Sequence, residues 1–199
     1  MTKFLLTIGA CVSTALAVLA QGETQPTCKG CPATYIANDE IQAYVTRALA
    51  TGAIDQQVRS LDIGKTNVAV GLVHRGKLLT PATASVAEHD LVSEVYHIIE
   101  GAATLVTGPD LVDAARRPAT NENVRLLNGP GSNAASIRDG VVHQLKAGDV
   151  IVIPAGTGHW FTRIDDHITY LMIRIDPDKI VPLKDEAASK VGLARRPGA

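Results

Sequence analysis

The sequence has no surplus of basic charge: 19 Lys and Arg face 20 Asp and Glu, for a formal net charge of −1. A nucleic-acid partner asks for a basic stripe or excess, so none is expected. The chain is also short, since 199 residues suit one domain with a real hydrophobic core and fit two poorly. Apolar residues are not in short supply. They make up 46%, enough for a packed body rather than a disordered chain.

Cysteine is scarce, with three in the whole chain. Cys11 lies in an N-terminal stretch that reads as an export signal. Lys3 gives a short positive start, Phe4 to Ala20 is apolar and uncharged, and Val18 and Ala20 are small residues before a cut at Gln21. The alternative is an uncleaved anchor, because about 17 apolar residues sit at the lower limit of a membrane span. Cleavage implies a secreted or periplasmic protein with no membrane contact. It leaves Cys28 and Cys31, which an oxidising compartment would pair. Pro26 and Pro32 flank them, so the strand and helix of a redox Cys-x-x-Cys are missing, and a metal site would need further cysteines.

Beyond a leader over residues 21–37, Ile41, Tyr44, Val45, Ala48 and Leu49 recur at helical spacing. Asn38 reads as the N-cap and Gly52 as the stop, which predicts one helix over 39–51. From residue 56 the period changes to that of strands. Segments 58–63, 67–74, 82–88, 94–100, 103–107, 140–145, 150–153, 159–164 and 168–175 are short, rich in β-branched residues and separated by turn signals. Many short strands without helices between them predict an all-β sandwich or small barrel. Residues 108–139 break the rhythm with turn-rich sequence. They read either as an insertion covering the mouth of the barrel or as a surface excursion. Residues 177–199 read as a polar tail.

Two stretches carry chemistry. The first runs Gly148-Asp149-Val150-Ile151-Val152-Ile153-Pro154-Ala155-Gly156-Thr157-Gly158-His159. A tight turn enters a strand, Pro154 stops pairing, Gly156 permits a bend, and His159 opens the next strand. The second runs from His89 through Glu94 to Gly101. Both resemble the motifs of the cupin family. Gly148, Pro154, Gly156 and His159 match G-x5-P-x-G-x2-H-x3-N, with Arg163 in place of its Asn. His89, Glu94 and Gly101 match G-x5-H-x-H-x3-4-E-x6-G, with Ala87 at the first histidine and Pro81 at the opening glycine.

The resemblance covers about residues 66–175. It implies a cupin jelly-roll β-barrel with one N-terminal helix outside it, and a cupin domain over 56–176. It also implies one divalent metal ion held by His89, Glu94 and His159, with the fourth ligand of the family lost at Ala87. Two histidines and a carboxylate suit Fe(II) with open positions, and Mn, Zn and Ni take similar donors. Side chains two apart share a strand face. Tyr96 is therefore expected beside Glu94, as a general acid or base or as an aromatic core filler. Phe161 and Arg163 are expected on the face of His159. Arg163 either meets an anionic substrate or pairs with Asp165 or Asp166 at the surface.

The family analogy points to a metal-dependent enzyme acting on a small organic molecule, first a dioxygenase. The alternatives are a lyase or isomerase using the metal as Lewis acid, or a non-catalytic ligand-binding protein. The expected partners are a small-molecule, anionic substrate and a second copy of the chain in a homodimer formed through strand edges.

Overall fold

A computed structural model describes residues 24–194; the expected export signal lies outside the described residues. Helix α1 covers Asn38–Thr51 and buries Ile41, Tyr44 and Ala48 along one stripe. Its N-cap is Ala37, without a side-chain cap, so Asn38 is the first helical residue rather than the cap. Gly52 ends the helix in the left-handed region and returns its N–H to Ala48 O at 2.8 Å. The leader contains a disulfide between Cys28 and Cys31.

The strands are β1 (Asp55–Asp62), β2 (Asn67–Arg75), β3 (Val86–His89), β4 (Ser93–Gly108), β5 (Leu111–Val112), β6 (Ala115–Arg116), β7 (Gly131–Ala134), β8 (Ser136–Ile137), β9 (Val141–Lys146), β10 (Val150–Ile153), β11 (Gly158–Arg163) and β12 (Ile168–Asp176). Segments 94–100 and 103–107, expected as two strands, form one long strand. β4 continues through Gly101 because glycine accepts φ +79° there, where a Cβ would collide with the carbonyl of His167. The N-terminal half of β4 pairs with β12 and β10, and its C-terminal half with β11 and β9.

The strand thus belongs to two antiparallel layers. One has the order β1-β2-β12-β4-β10, the other β9-β4-β11-β3-β7-β6. Among the described residues the ladder does not close into a ring, so the jelly roll is two facing layers joined through β4 rather than a continuously hydrogen-bonded barrel.

Between the layers lie Val73, Tyr96, Ile98, Leu105, Phe161, Ile168, Tyr170 and Met172, all buried. Removing a side chain such as Leu105 costs about 2–5 kcal/mol, the usual range for a large core residue cut to Ala. The outer face of the first layer is covered too. Leu72, which alternates with inward Val73, packs with Val58 against Ile41 and Tyr44 of α1. The buried guanidinium of Arg59 forks onto Glu40 of α1 at 2.8 and 2.9 Å, fixing helix to sheet.

Residues 177–194 are not wholly an extended tail. Helix α2 (Glu186–Ala194) docks Ser189 onto the Val58 carbonyl. Residues 108–139 are also more structured than a loop. β7 extends the second layer beside β3, β6 pairs with β7, and β5 pairs with β8. A five-residue π-helical turn, Val124–Asn128, lies between β6 and β7.

Candidate metal centre

Three strands deliver the three expected ligands to one point. His89 ends β3, Glu94 begins the first half of β4, and His159 begins β11. Their ligand atoms lie within 4.8 Å of one another, and the residues are 3%, 2% and 8% exposed. His89 Nε2 stands 3.4 Å from Glu94 Oε1, and His159 Nε2 stands 3.5 Å from Oε2. Donors around an ion with bonds of about 2.1 Å sit roughly 3–3.5 Å apart, so two imidazoles and a carboxylate fit a divalent cation.

Strand alternation positions the surroundings. Glu94, Tyr96 and Ile98 are buried, while His97 on the opposite face is exposed. Tyr96 donates its hydroxyl to Glu94 Oε2 at 2.7 Å. Burial, followed by the charge of Glu94, pushes the Tyr96 phenol well above its ordinary value. In this arrangement the hydroxyl is a protonated donor that steadies the carboxylate. Burial opposes the charge on Glu94, but His89, His159 and Arg174 outweigh it and hold the carboxyl well below the usual range. Burial also pulls His159 down to about 4, leaving a neutral imidazole with a free ring nitrogen.

The two imidazoles are backed differently. His159 Nδ1 lies 3.2 Å from the carbonyl of Thr157, which can only accept, so the proton sits on Nδ1 and Nε2 offers its lone pair. His89 Nδ1 lies 2.9 Å from Arg117 Nη2, which can only donate. Nδ1 of His89 is therefore the acceptor, and its proton sits on Nε2, facing Glu94. For His89 to ligate through Nε2, Arg117 must release Nδ1.

Sequence reasoning missed Arg117 and Arg174. Arg117 comes from the irregular segment after β6 and also donates to the carbonyls of Glu88 and Ser132. It can approach because residue 131 is glycine; a Cβ there would strike both the Glu88 carbonyl and Arg117. Arg174 sits opposite Glu94 in the β4–β12 register, is 1% exposed, and bridges Asp55 and Glu94. Its sequence signal was parity: Tyr170, Met172 and Arg174 share the inner face of β12.

The expected place of Arg163 is overturned. A bulge between Phe161 and Arg163 inserts Thr162 and flips the parity after Phe161. Arg163 points to solvent, 58% exposed, with Nε on Asp165 Oδ1 at 2.8 Å. It does not reach the metal centre, and its surface pairing with Asp165 is the arrangement found.

A cavity of about 710 Å³ opens beside the ligands, lined by Arg75, Ala87, His89, Arg117, Asn121 and Asn133 among others. Ala87 shares the face of His89, so the lost ligand's position opens onto this space. A second chamber of about 170 Å³ lies against His159 and Phe161 and shares Arg75 and Ala87 with the first.

The two facing antiparallel layers have the jelly-roll form that the motif resemblance implied, and they bring two histidines and one carboxylate together between them. No family model matches the chain, and the curated proteins yield no relative. Solved structures similar to it include a Bacillus halodurans protein at 16% identity, covering 82% of this chain and 98% of that one, with a TM-score of 0.42. A cupin protein from Bacteroides fragilis is 16% identical over 59% of this chain and 72% of its own, with a TM-score of 0.33. The DMSP lyase DddQ from Ruegeria pomeroyi is 14% identical over 59% of this chain and 42% of its own, with a TM-score of 0.35.

Proposed function

We propose that this protein is a metal-dependent enzyme of dioxygenase type acting on a small organic molecule, exported from the cytoplasm, with Fe(II) held by His89, Glu94 and His159. The observation that carries the reading is the buried convergence of these three donors beside a cavity that reaches them where Ala87 replaces a fourth ligand. Two histidines and one carboxylate leave coordination positions open, and bound iron supplies oxygen activation there.

The chain's own residues do the rest. Tyr96 and Arg174 hold the Glu94 carboxylate by hydrogen bond and charge. The Thr157 carbonyl fixes the ring of His159. Phe161, Leu78 and Ala87 give the inner chamber an apolar wall beside His159. A lyase reading that uses Tyr96 as base is less well supported, because that hydroxyl is committed as a donor to Glu94.

The test is metal analysis of untagged protein, then anaerobic Fe(II) loading and measurement of oxygen uptake with a panel of small aromatic and thiol substrates. Stoichiometric iron that disappears in His159→Ala, together with substrate-dependent oxygen uptake, is the expected result. A protein that takes up no divalent metal would end the reading.

A further inference from the structure

We infer that the chamber beside the metal centre binds the carboxylate of a short organic acid, with the Arg75 guanidinium as its principal anchor. This inference rests on the proposed site and names the class of molecule that fills it.

Arg75 ends β2 and reaches inward, its guanidinium 5.0 Å from the centre of the Phe161 ring. Its recorded hydrogen bond is from Nε to the neutral Tyr170 hydroxyl at 3.4 Å. Glu94 and Asp55 Oδ2 pair with Arg174, and Asp55 Oδ1, which borders the outer cavity with Arg75, has no hydrogen-bond partner and makes no ion pair with Arg75. Among the described residues Arg75 forms no ion pair. The arginine keeps its charge there, because guanidinium stays protonated in proteins. Arg75 is half-buried, and a partly desolvated charge is stabilised when an anion meets it.

Arg75 also borders both the outer cavity and the inner chamber. Its free Nη edge is therefore the polar feature common to the two spaces that reach His89 and His159. Arg117 adds a second cation on the outer cavity. Its recorded partners are the ring nitrogen of His89, two backbone carbonyls and the Asn133 side-chain oxygen, none of them a charged carboxylate. A divalent ion at the centre would add further positive charge, so the space favours an anion on electrostatic grounds.

The rest of the chamber sets the size and the body of the ligand. Leu78, Ala87 and Phe161 are apolar, and Ser85 and His159 supply the other polar edges. Its volume of about 170 Å³ is below the roughly 300–1,000 Å³ of sites for drug-sized ligands. A carboxylate on a short apolar body fits that lining, with the guanidinium fork taking both oxygens.

The experiment is calorimetric titration of the purified full-length protein, metal-stripped and Zn²⁺-loaded, with propionate and benzoate and with their uncharged amides, propionamide and benzamide. Metal content is measured on the same samples. The expected result is binding of at least one carboxylate and weaker or absent binding of the matching amide. Arg75→Gln should weaken the carboxylate at least about tenfold, the loss that goes with a charge-assisted hydrogen bond. Arg75→Lys should fall between, keeping charge without the fork.

Equal affinity for acid and amide, or no binding of either in both metal states, overturns the inference even if Arg75 variants fail to fold. Carboxylate binding unchanged in a folded Arg75→Gln variant overturns it as well. Carboxylate binding that depends on Arg75 in a protein that takes up no metal leaves the subsite standing and removes the metal-enzyme reading. Metal uptake without carboxylate selectivity does the reverse.

Discussion

Two imidazoles face the same carboxylate, but the regions that hold them differ. His159 stands on β11 just after a turn read directly from sequence, and its outer nitrogen rests on a backbone carbonyl. Its proton is thereby parked on the far side from the site. His89 ends β3, and its outer nitrogen meets a guanidinium delivered by a segment with little regular structure. One histidine is prepared for a metal by its own strand turn. The other is guarded by a residue that must move. The lesson is that a ligand set is completed by what stands behind each ring, and here the backing of His89 lies outside both motifs.

The largest effect that would break this contrast is at Glu94, which both rings address. Glu94→Gln keeps the shape and removes the charge, so the two halves lose what they share. Divalent metal affinity should fall by more than about 100-fold, beyond the 10–100-fold typical of groups that merely support a ligand. The apoprotein should also lose roughly 3 kcal/mol, because Arg174 keeps Asp55 but loses its second buried partner. Titration with Zn²⁺ and chemical denaturation read the two effects separately. Retained metal affinity in a folded variant would mean that the ion sits elsewhere.

Tyr96→Phe is a smaller cut. It removes one hydrogen bond to Glu94 Oε2 and keeps the ring that packs with Phe161 and Tyr170. Metal affinity should drop about tenfold, the low end of the range for such support. Replacing the hydroxyl should leave the stacked core in place, which near-ultraviolet circular dichroism would show.

Arg117→Met sharpens the contrast from the other side. The variant frees Nδ1 of His89 to carry the proton, so Nε2 can ligate without first displacing a guanidinium. Zn²⁺ should bind several-fold more tightly than to wild type, about 1 kcal/mol, the net worth of a typical hydrogen bond. The matching change at His159 has no side chain to remove, since a carbonyl stands there. Weaker binding in Arg117→Met would show that the arginine holds β3 in place more than it guards the ring.

Much of the site was legible because short motifs impose local geometry. Gly148 through His159 encode a turn, a strand and a bend within twelve residues, and the strand at Val150–Ile153 is where the pattern puts it. Alternation then placed Glu94, Tyr96 and Ile98 inside and His97 outside. What could not be read depends on contacts between distant segments. Arg117 reaches His89 across 28 positions, and Arg174 meets Glu94 through strand register. The second helix was hidden because its one buried side chain, Ser189, is a small polar residue docked on a backbone carbonyl, with Leu193 the apolar contact beside it.

Arg163 shows how one inserted residue defeats a sound rule. Counting by twos from His159 puts positions 161 and 163 inward, and Phe161 is indeed buried. The bulge at Thr162 then turns the next side chain around, into an exposed ion pair with Asp165. An exposed pair of this kind contributes about 0–1 kcal/mol and is screened by salt. Arg163→Ala should therefore change stability by less than about 0.5 kcal/mol, the usual bound for a surface substitution, and leave Zn²⁺ and carboxylate binding as in wild type. Deleting Thr162 would remove the bulge and make Arg163 the residue after Phe161, where strict alternation keeps it on the outer face opposite Thr104. The deletion should therefore leave the Arg163–Asp165 pair exposed and Ile164 buried, and a melting curve far below that of Arg163→Ala would show that the strand needs the extra residue.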